Sequence, residues 1–82
     1  MKLPRDLSGR ELAKMLEPHG YRVTRQVGSH LRLTSAARGR EHHITVPAHV
    51  ALRGGTLSGI LSEVASYLEL DRRELAIKLF GR

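Results

Sequence analysis

The segment Gly28-Ser29-His30 contains a side chain suited to acid–base chemistry. Histidine titrates near neutral pH, so it can accept a proton from a hydroxyl group or donate one to a leaving oxygen. Metal-free cleavage of RNA requires both transfers, one at the 2′-hydroxyl and one at the 5′-oxygen. His30 is therefore a candidate for either proton transfer, and the groups around it bear on whether it has that role. The plainer interpretation is a polar histidine at the start of a strand that only faces water.

Several groups near His30 are candidates for holding the phosphate. Arg22 and Arg32 can bind it and stabilise its developing charge. The turn N–H groups of Gly28 and Ser29 can orient it.

Two further segments carry candidate groups. His49 or His43 is a candidate for the second proton transfer, although water can also serve. Arg53 precedes Gly54-Gly55-Thr56 and a predicted helix, whose free N–H groups and dipole attract phosphate. This pattern is also that of an ordinary helix cap.

Metal and cofactor sites are not expected. The histidines at 42, 43 and 49 are ligands by type, but neighbouring strand residues point to opposite faces, so their spacing is poor for a metal site. The sequence contains no Walker motif, no Gly-x-Gly-x-x-Gly segment and no Ser/His/Asp set that we can support.

The charge distribution favours a polyanionic partner. The 82 residues include 14 basic and 8 acidic side chains, for a formal net charge of +6. Between Pro18 and Ser62 the chain has six arginines and one carboxylate, that of Glu41. All five histidines lie in the same stretch. Excess positive charge in one region is typical of nucleic-acid binding. Only three aromatic residues are present, so we expect contacts to the RNA backbone more than base stacking.

The elements that must position these groups can be read from periodicity and capping signals. Capping boxes at Ser8–Glu11 and Asp71–Glu74 predict the starts of the first and last helices, and Thr56 is the predicted N-cap of the main helix. Alternating residues predict three strands, over 21–26, 30–34 and 41–46. We therefore predict an α+β fold, with a three-stranded antiparallel sheet, helices packed on one face, and the order α-β-β-β-α plus an extra C-terminal helix.

The strand pleat sorts the predicted strand residues into two faces. The core face is predicted to contain Tyr21, Val23, Leu31, Leu33, Ile44 and Val46. The other face is open, polar and cationic, and it is predicted to contain Arg22, Thr24, His30, Arg32, Thr34, His43 and Thr45.

Length and composition predict a single cytosolic domain over residues 1–82. The chain is too short for a second core. It has no cysteine, no apolar stretch near its start typical of a signal peptide, and no apolar run long enough to span a membrane.

In combination, several short motifs resemble the HicA-type toxins of bacterial toxin–antitoxin systems. The resemblance covers roughly residues 7–65 and leaves 66–82 as a C-terminal helical extension. Its motifs are Gly20-Tyr21, Gly28-Ser29-His30, Thr45-Val46-Pro47 with His49, and Gly55-Thr56-Leu57 with Ile60-Leu61.

The resemblance implies a fold like that of double-stranded-RNA-binding domains and the activity of an mRNA interferase that cuts mRNA without ribosomes. It makes His30 the essential histidine, mRNA the substrate and a HicB-type antitoxin the protein partner. Two alternatives remain open from the residues: a non-catalytic RNA-binding module of the same fold, and a protein-interaction domain whose charge is incidental.

Overall fold

The predicted order of helices and strands is present in the computed structural model, which describes residues 3–81. The elements are α1 (Gly9–Leu16), a short 3-10 helix (Glu17–His19), β1 (Tyr21–Val27), β2 (His30–Ser35), β3 (His42–Pro47), α2 (Gly54–Leu68) and α3 (Arg72–Phe80). The three strands form one antiparallel sheet in the order β1-β2-β3. The predicted α+β fold is confirmed.

Local capping sets where the helices begin. Both predicted capping boxes form, with Ser8 capping α1 and Asp71 capping α3. The predicted N-cap of α2 at Thr56 is wrong, because the helix begins at Gly54. Arg53 is the N-cap residue: its backbone is extended, and its carbonyl accepts the first helical bond from Leu57 N–H at 2.8 Å.

The core lies between the sheet and the helices, and α3 packs on α2. It is formed mainly by aliphatic side chains from the strands and the three α-helices, including Leu12, Leu16, Leu31, Leu33, Val46, Leu57, Leu61, Val64 and Leu75. Of the residues predicted to face the core, Val23 remains 47% exposed. It lies on the edge strand beside α1, which covers it only in part.

A β-bulge in β1 changes which side chains reach the open face. Val23 pairs with Leu33, but the next pair joins Arg25 to Arg32, so Thr24 is the extra residue. Residues directly opposite each other on paired strands share a face. The bulge therefore brings Arg25 and Val27 to the open face, and it turns Gln26 to the helix side opposite Leu31.

Close contact joins α1 to the end of β3. The Arg10 N–H donates to the Ala48 carbonyl at 3.2 Å, and the Leu52 N–H donates to the Leu7 carbonyl at 2.8 Å. Gly9 is buried at this contact, and a Cβ atom there would lie 1.7 Å from the Pro47 carbonyl oxygen. Only glycine allows the helix to approach the strand so closely.

Candidate nucleic-acid interface

The open face of the sheet consists of three cross-strand rows, which follow from the observed pairing of β1, β2 and β3. The first row is Val27, His30 and Pro47, the middle row is Arg25, Arg32 and Thr45, and the third row is Arg22, Thr34 and His43. Consecutive rows are about 7 Å apart, because they are separated by two residues of strand.

The first two rows surround a shallow depression with a volume of about 180 Å³. Its lining residues are Arg25, Val27, His30, Arg32 and Thr45. All five are exposed, so a ligand can reach the imidazole and both guanidinium groups from solvent. Two arginines can bind a phosphate group, and a histidine beside them can transfer a proton to or from an oxygen attached to it.

The arginines of the three rows carry positive charge that no carboxylate within the rows neutralises. None of the three rows contains Asp or Glu. Within residues 3–81, the arginine ion pair lies elsewhere, between Arg38 and Glu69 at 2.9 Å. The guanidinium groups of Arg22, Arg25 and Arg32 are therefore available to an external anion.

The turn before His30 is held from two sides. Gly28 has a left-handed backbone (φ 57°), which a two-residue hairpin turn requires. Its carbonyl accepts a hydrogen bond from Gln26 Nε2 at 3.0 Å, and a guanidinium N–H of Arg10 donates to Gln26 Oε1 at 3.2 Å. The Ser29 carbonyl accepts from the Ala48 N–H at 2.7 Å. These bonds fix the path of the chain into His30.

The remaining predicted phosphate-binding residues lie at different distances from the depression. Arg22 is in the third row, two rows from His30. His49 is exposed and directly follows Ala48, whose bond to Ser29 brings this loop beside the β1–β2 turn. Arg53 is not brought to the open face. It lines a separate cleft of about 430 Å³ with Arg5 at the start of α2.

His43 also lies away from His30. They are two row spacings apart, a distance of about 14 Å along the strands. The two histidines therefore do not meet at one phosphate. His43 Nδ1 is instead 2.8 Å from Thr34 Oγ1, and its Nε2 is 3.6 Å from Glu41 Oε1.

His42 lies on the helix side of the sheet, where it contacts two tyrosines and not the open face. Its Nδ1 is 2.7 Å from the Tyr21 hydroxyl, and its ring stacks on Tyr67 with centroids 4.8 Å apart. Burial raises the pKa of Tyr21, and nearby Tyr67 and Glu63 raise it further. The phenol therefore keeps its proton, and its hydroxyl shares a hydrogen bond with His42 Nδ1. Within residues 3–81, no cluster of three His, Cys, Asp or Glu side chains could hold a metal ion.

Arg25 and Val27 are the interface residues that strict alternation missed. Alternation from Tyr21 assigns both to the core face, which would bury an arginine between two valines. An arginine at an inward position of an otherwise regular strand is itself a signal for a bulge, because an unpaired buried charge is costly. That signal was available in the segment Val23-Thr24-Arg25-Gln26-Val27.

The fold and this face together define a class: a small α+β protein with a cationic, histidine-bearing sheet surface opposite its helices. The sequence model of the HicA toxins of bacterial toxin–antitoxin systems matches residues 9–65, from the first residue of α1 into α2. The chain therefore belongs to the HicA toxin family. A toxin of this kind implies an antitoxin partner.

Comparisons with curated proteins and with solved structures gave no significant match. Among residues 3–81, no helix combines the length and the apolar character needed to cross a bilayer.

Proposed function

We propose that this HicA-family chain is an endoribonuclease that cleaves mRNA in the bacterial cytoplasm without a metal ion. His30 is the catalytic residue, and Arg25 and Arg32 bind the phosphate of the bond that is cut. The observation that carries the proposal is the depression in which one accessible imidazole lies beside two arginines that have no carboxylate partner among residues 3–81.

The chemistry follows from the groups that RNA offers. In its neutral form His30 accepts the proton of a 2′-hydroxyl, whose oxygen attacks the adjacent phosphorus and breaks the bond to the 5′-oxygen. The arginines stabilise the charge that develops on the phosphoryl oxygens. The leaving 5′-oxygen takes a proton from water or from His49, the histidine whose loop is bonded to the catalytic turn.

The other predicted groups support binding. Arg22 extends the positive charge along the face, and the Gly28-Ser29 turn allows the RNA backbone to approach closely. Arg53 lies in another cleft, so its part in this proposal is limited to attracting RNA electrostatically. A HicB-type antitoxin would inhibit the enzyme by covering the open face, with acidic groups opposite the three arginines.

A non-catalytic RNA-binding module is the second candidate. It is favoured by one observation: within residues 3–81, no side chain forms a hydrogen bond with the His30 imidazole. Catalytic histidines are commonly oriented by a partner on the second ring nitrogen. This candidate requires the arginines but not the histidine.

Cleavage of a mixed mRNA transcript in EDTA distinguishes the two candidates. Wild type should cut, and His30→Ala should not. His19→Ala is the matched control, because His19 lies in the 3-10 helix away from the open face and its loss should leave cleavage intact. If neither wild type nor His30→Ala cuts but both shift the mobility of RNA on a native gel, the non-catalytic RNA-binding module is the better description. Equal cutting by both would reject His30 as the catalytic residue.

A further inference from the structure

A chain of hydrogen-bonding groups that the proposed cleavage reaction does not use connects Thr34 and His43 of the third row to the neighbouring Thr24 and Glu41. Thr24 Oγ1 lies 2.8 Å from Thr34 Oγ1, and Thr34 Oγ1 lies 2.8 Å from His43 Nδ1. Glu41 Oε1 is 3.6 Å from the other ring nitrogen of His43. The bulge produces this arrangement, since Thr24 is the extra residue and its hydroxyl lies beside Thr34 on the open face.

The chemistry of these groups suits a ligand hydroxyl. A hydroxyl can donate one hydrogen bond and accept two, and so can the 2′-hydroxyl of ribose. Thr24 and His43 are exposed and Thr34 is half-buried, so the pair of threonine oxygens can exchange one of its internal bonds for a bond to RNA. The 2′-hydroxyl is the group by which a protein distinguishes RNA from DNA at a given position.

The position of the third row matches the repeat of an extended RNA strand. Rows are about 7 Å apart, a spacing comparable with one nucleotide of an extended single strand. A strand whose cleaved phosphate lies at the first and middle rows thus reaches Thr34 and His43 one to two nucleotides further on. Arg22, opposite Thr34 in the same row, provides the positive charge for the phosphate that accompanies this ribose.

We propose that the third row is a second nucleotide subsite, which binds a ribose 2′-hydroxyl of unpaired RNA through Thr34 and His43 and its phosphate through Arg22. The inference rests on the proposed function, because it takes the cleaved bond at His30 as its origin. It makes the substrate a single strand that follows β2 across all three rows. The second subsite favours RNA over DNA at a nucleotide that is not cut.

Binding measurements in a His30→Ala background test the subsite without cleavage of the ligand. The ligands are a single-stranded RNA oligonucleotide and a series of the same oligonucleotide with one 2′-deoxy nucleotide at successive positions. Thr34→Val removes the hydroxyl but keeps a β-branched shape suited to a strand. Thr56→Val is the matched control, since Thr56 is exposed in the first turn of α2.

Thr34→Val should weaken binding of the RNA about fivefold, the effect typical of one lost hydrogen bond. One 2′-deoxy position should weaken binding of the parent protein to a similar extent, and the same ligand should bind Thr34→Val with no additional loss. Thr56→Val should bind like the parent. Equal affinity of Thr34→Val and parent, or additive losses at every deoxy position, would overturn the subsite.

The two proposals fail separately. If His30→Ala abolishes cleavage but Thr34 is not coupled to any 2′-hydroxyl, the endoribonuclease remains and the second subsite is rejected. If Thr34 is coupled to one 2′-hydroxyl although the wild-type protein cleaves nothing, the ribose subsite remains and the catalytic role of His30 is rejected. Kinetics on the His30-containing protein provide a second readout: Thr34→Val should raise KM and leave kcat unchanged.

Discussion

Replacement of Gly9 by alanine tests the contact that joins α1 to the end of β3. The added Cβ would lie 1.7 Å from the Pro47 carbonyl oxygen, whereas real Cβ contacts are essentially never under 3.0 Å. Both groups are fixed to backbone, so no side-chain rotation can relieve the overlap. The helix and the strand must separate by at least the difference, 3.0 − 1.7 = 1.3 Å.

This separation has a cost that can be estimated from the contacts it breaks. The 3.2 Å bond from Arg10 N–H to the Ala48 carbonyl would exceed hydrogen-bond length, a loss of about 1 kcal/mol. Displacing α1 also disturbs the packing of Leu12 and Leu16, which are completely buried, and core overpacking typically costs about 1–3 kcal/mol. We expect Gly9→Ala to lower the free energy of unfolding by about 2–4 kcal/mol.

Urea unfolding followed by circular dichroism measures this change, and Gly59→Ala is the matched control. Gly59 is exposed in the middle of α2, and a Cβ there meets no atom within 4 Å. The same substitution should therefore stabilise the protein by roughly 0.5–1 kcal/mol, because alanine is the better helix former. Opposite signs at the two glycines support the contact. A Gly9→Ala protein as stable as wild type would refute the reasoning.

Three further predictions concern the pH response of stability, the arginines of the open face and the turn before His30. Because the pKa of Tyr21 is raised, the unfolded chain loses this proton first, so the free energy of unfolding should fall as pH rises above the ordinary tyrosine value of 10.0. Tyr21→Phe should flatten that fall in urea titrations on either side of this pH. Arg25→Ala should weaken RNA binding and reduce by about one unit the slope of the logarithm of the binding constant against the logarithm of the salt concentration. Arg53→Ala, in the separate cleft, should change both the affinity and the slope less. Binding titrations over a salt series measure both. Gln26→Ala removes the hydrogen bond to the Gly28 carbonyl and should lower kcat several-fold with little change in KM. An unchanged kcat would show that this hydrogen bond is not needed to position the turn.

The sequence predicted the elements well because their signals are local. Ser8 and Asp71 form capping boxes from residues three positions apart, and alternation of polar and apolar residues identified all three strands. The predicted start of α2 at Thr56 is wrong because the capping signal of a threonine is absent at the true N-cap. Arg53 forms no side-chain capping bond, and Gly54 and Gly55 adopt helical angles after it.

The composition of the open face was predicted only in part, because a bulge depends on how two strands pair. Nothing within β1 alone determines that Thr24 is the extra residue, so Arg25 and Val27 were not among the residues predicted for the open face. The separation of His30 from His43 likewise follows from the pairing of β2 with β3. Both histidines were predicted to lie on the open face, but the distance between them depends on the register of β2 and β3, which the sequence does not determine.

The β1 bulge also affects how well the edge of the sheet could pair with a strand of another molecule. β1 is an edge of the sheet, and a regular edge strand offers unpaired N–H and carbonyl groups to the edge of another molecule. The extra residue at Thr24 interrupts that regular spacing in the middle of the strand, and the arginines on either side of it add mutual repulsion between two such edges. The irregularity that brings Arg25 to the open face thus also protects the exposed edge against β-sheet aggregation.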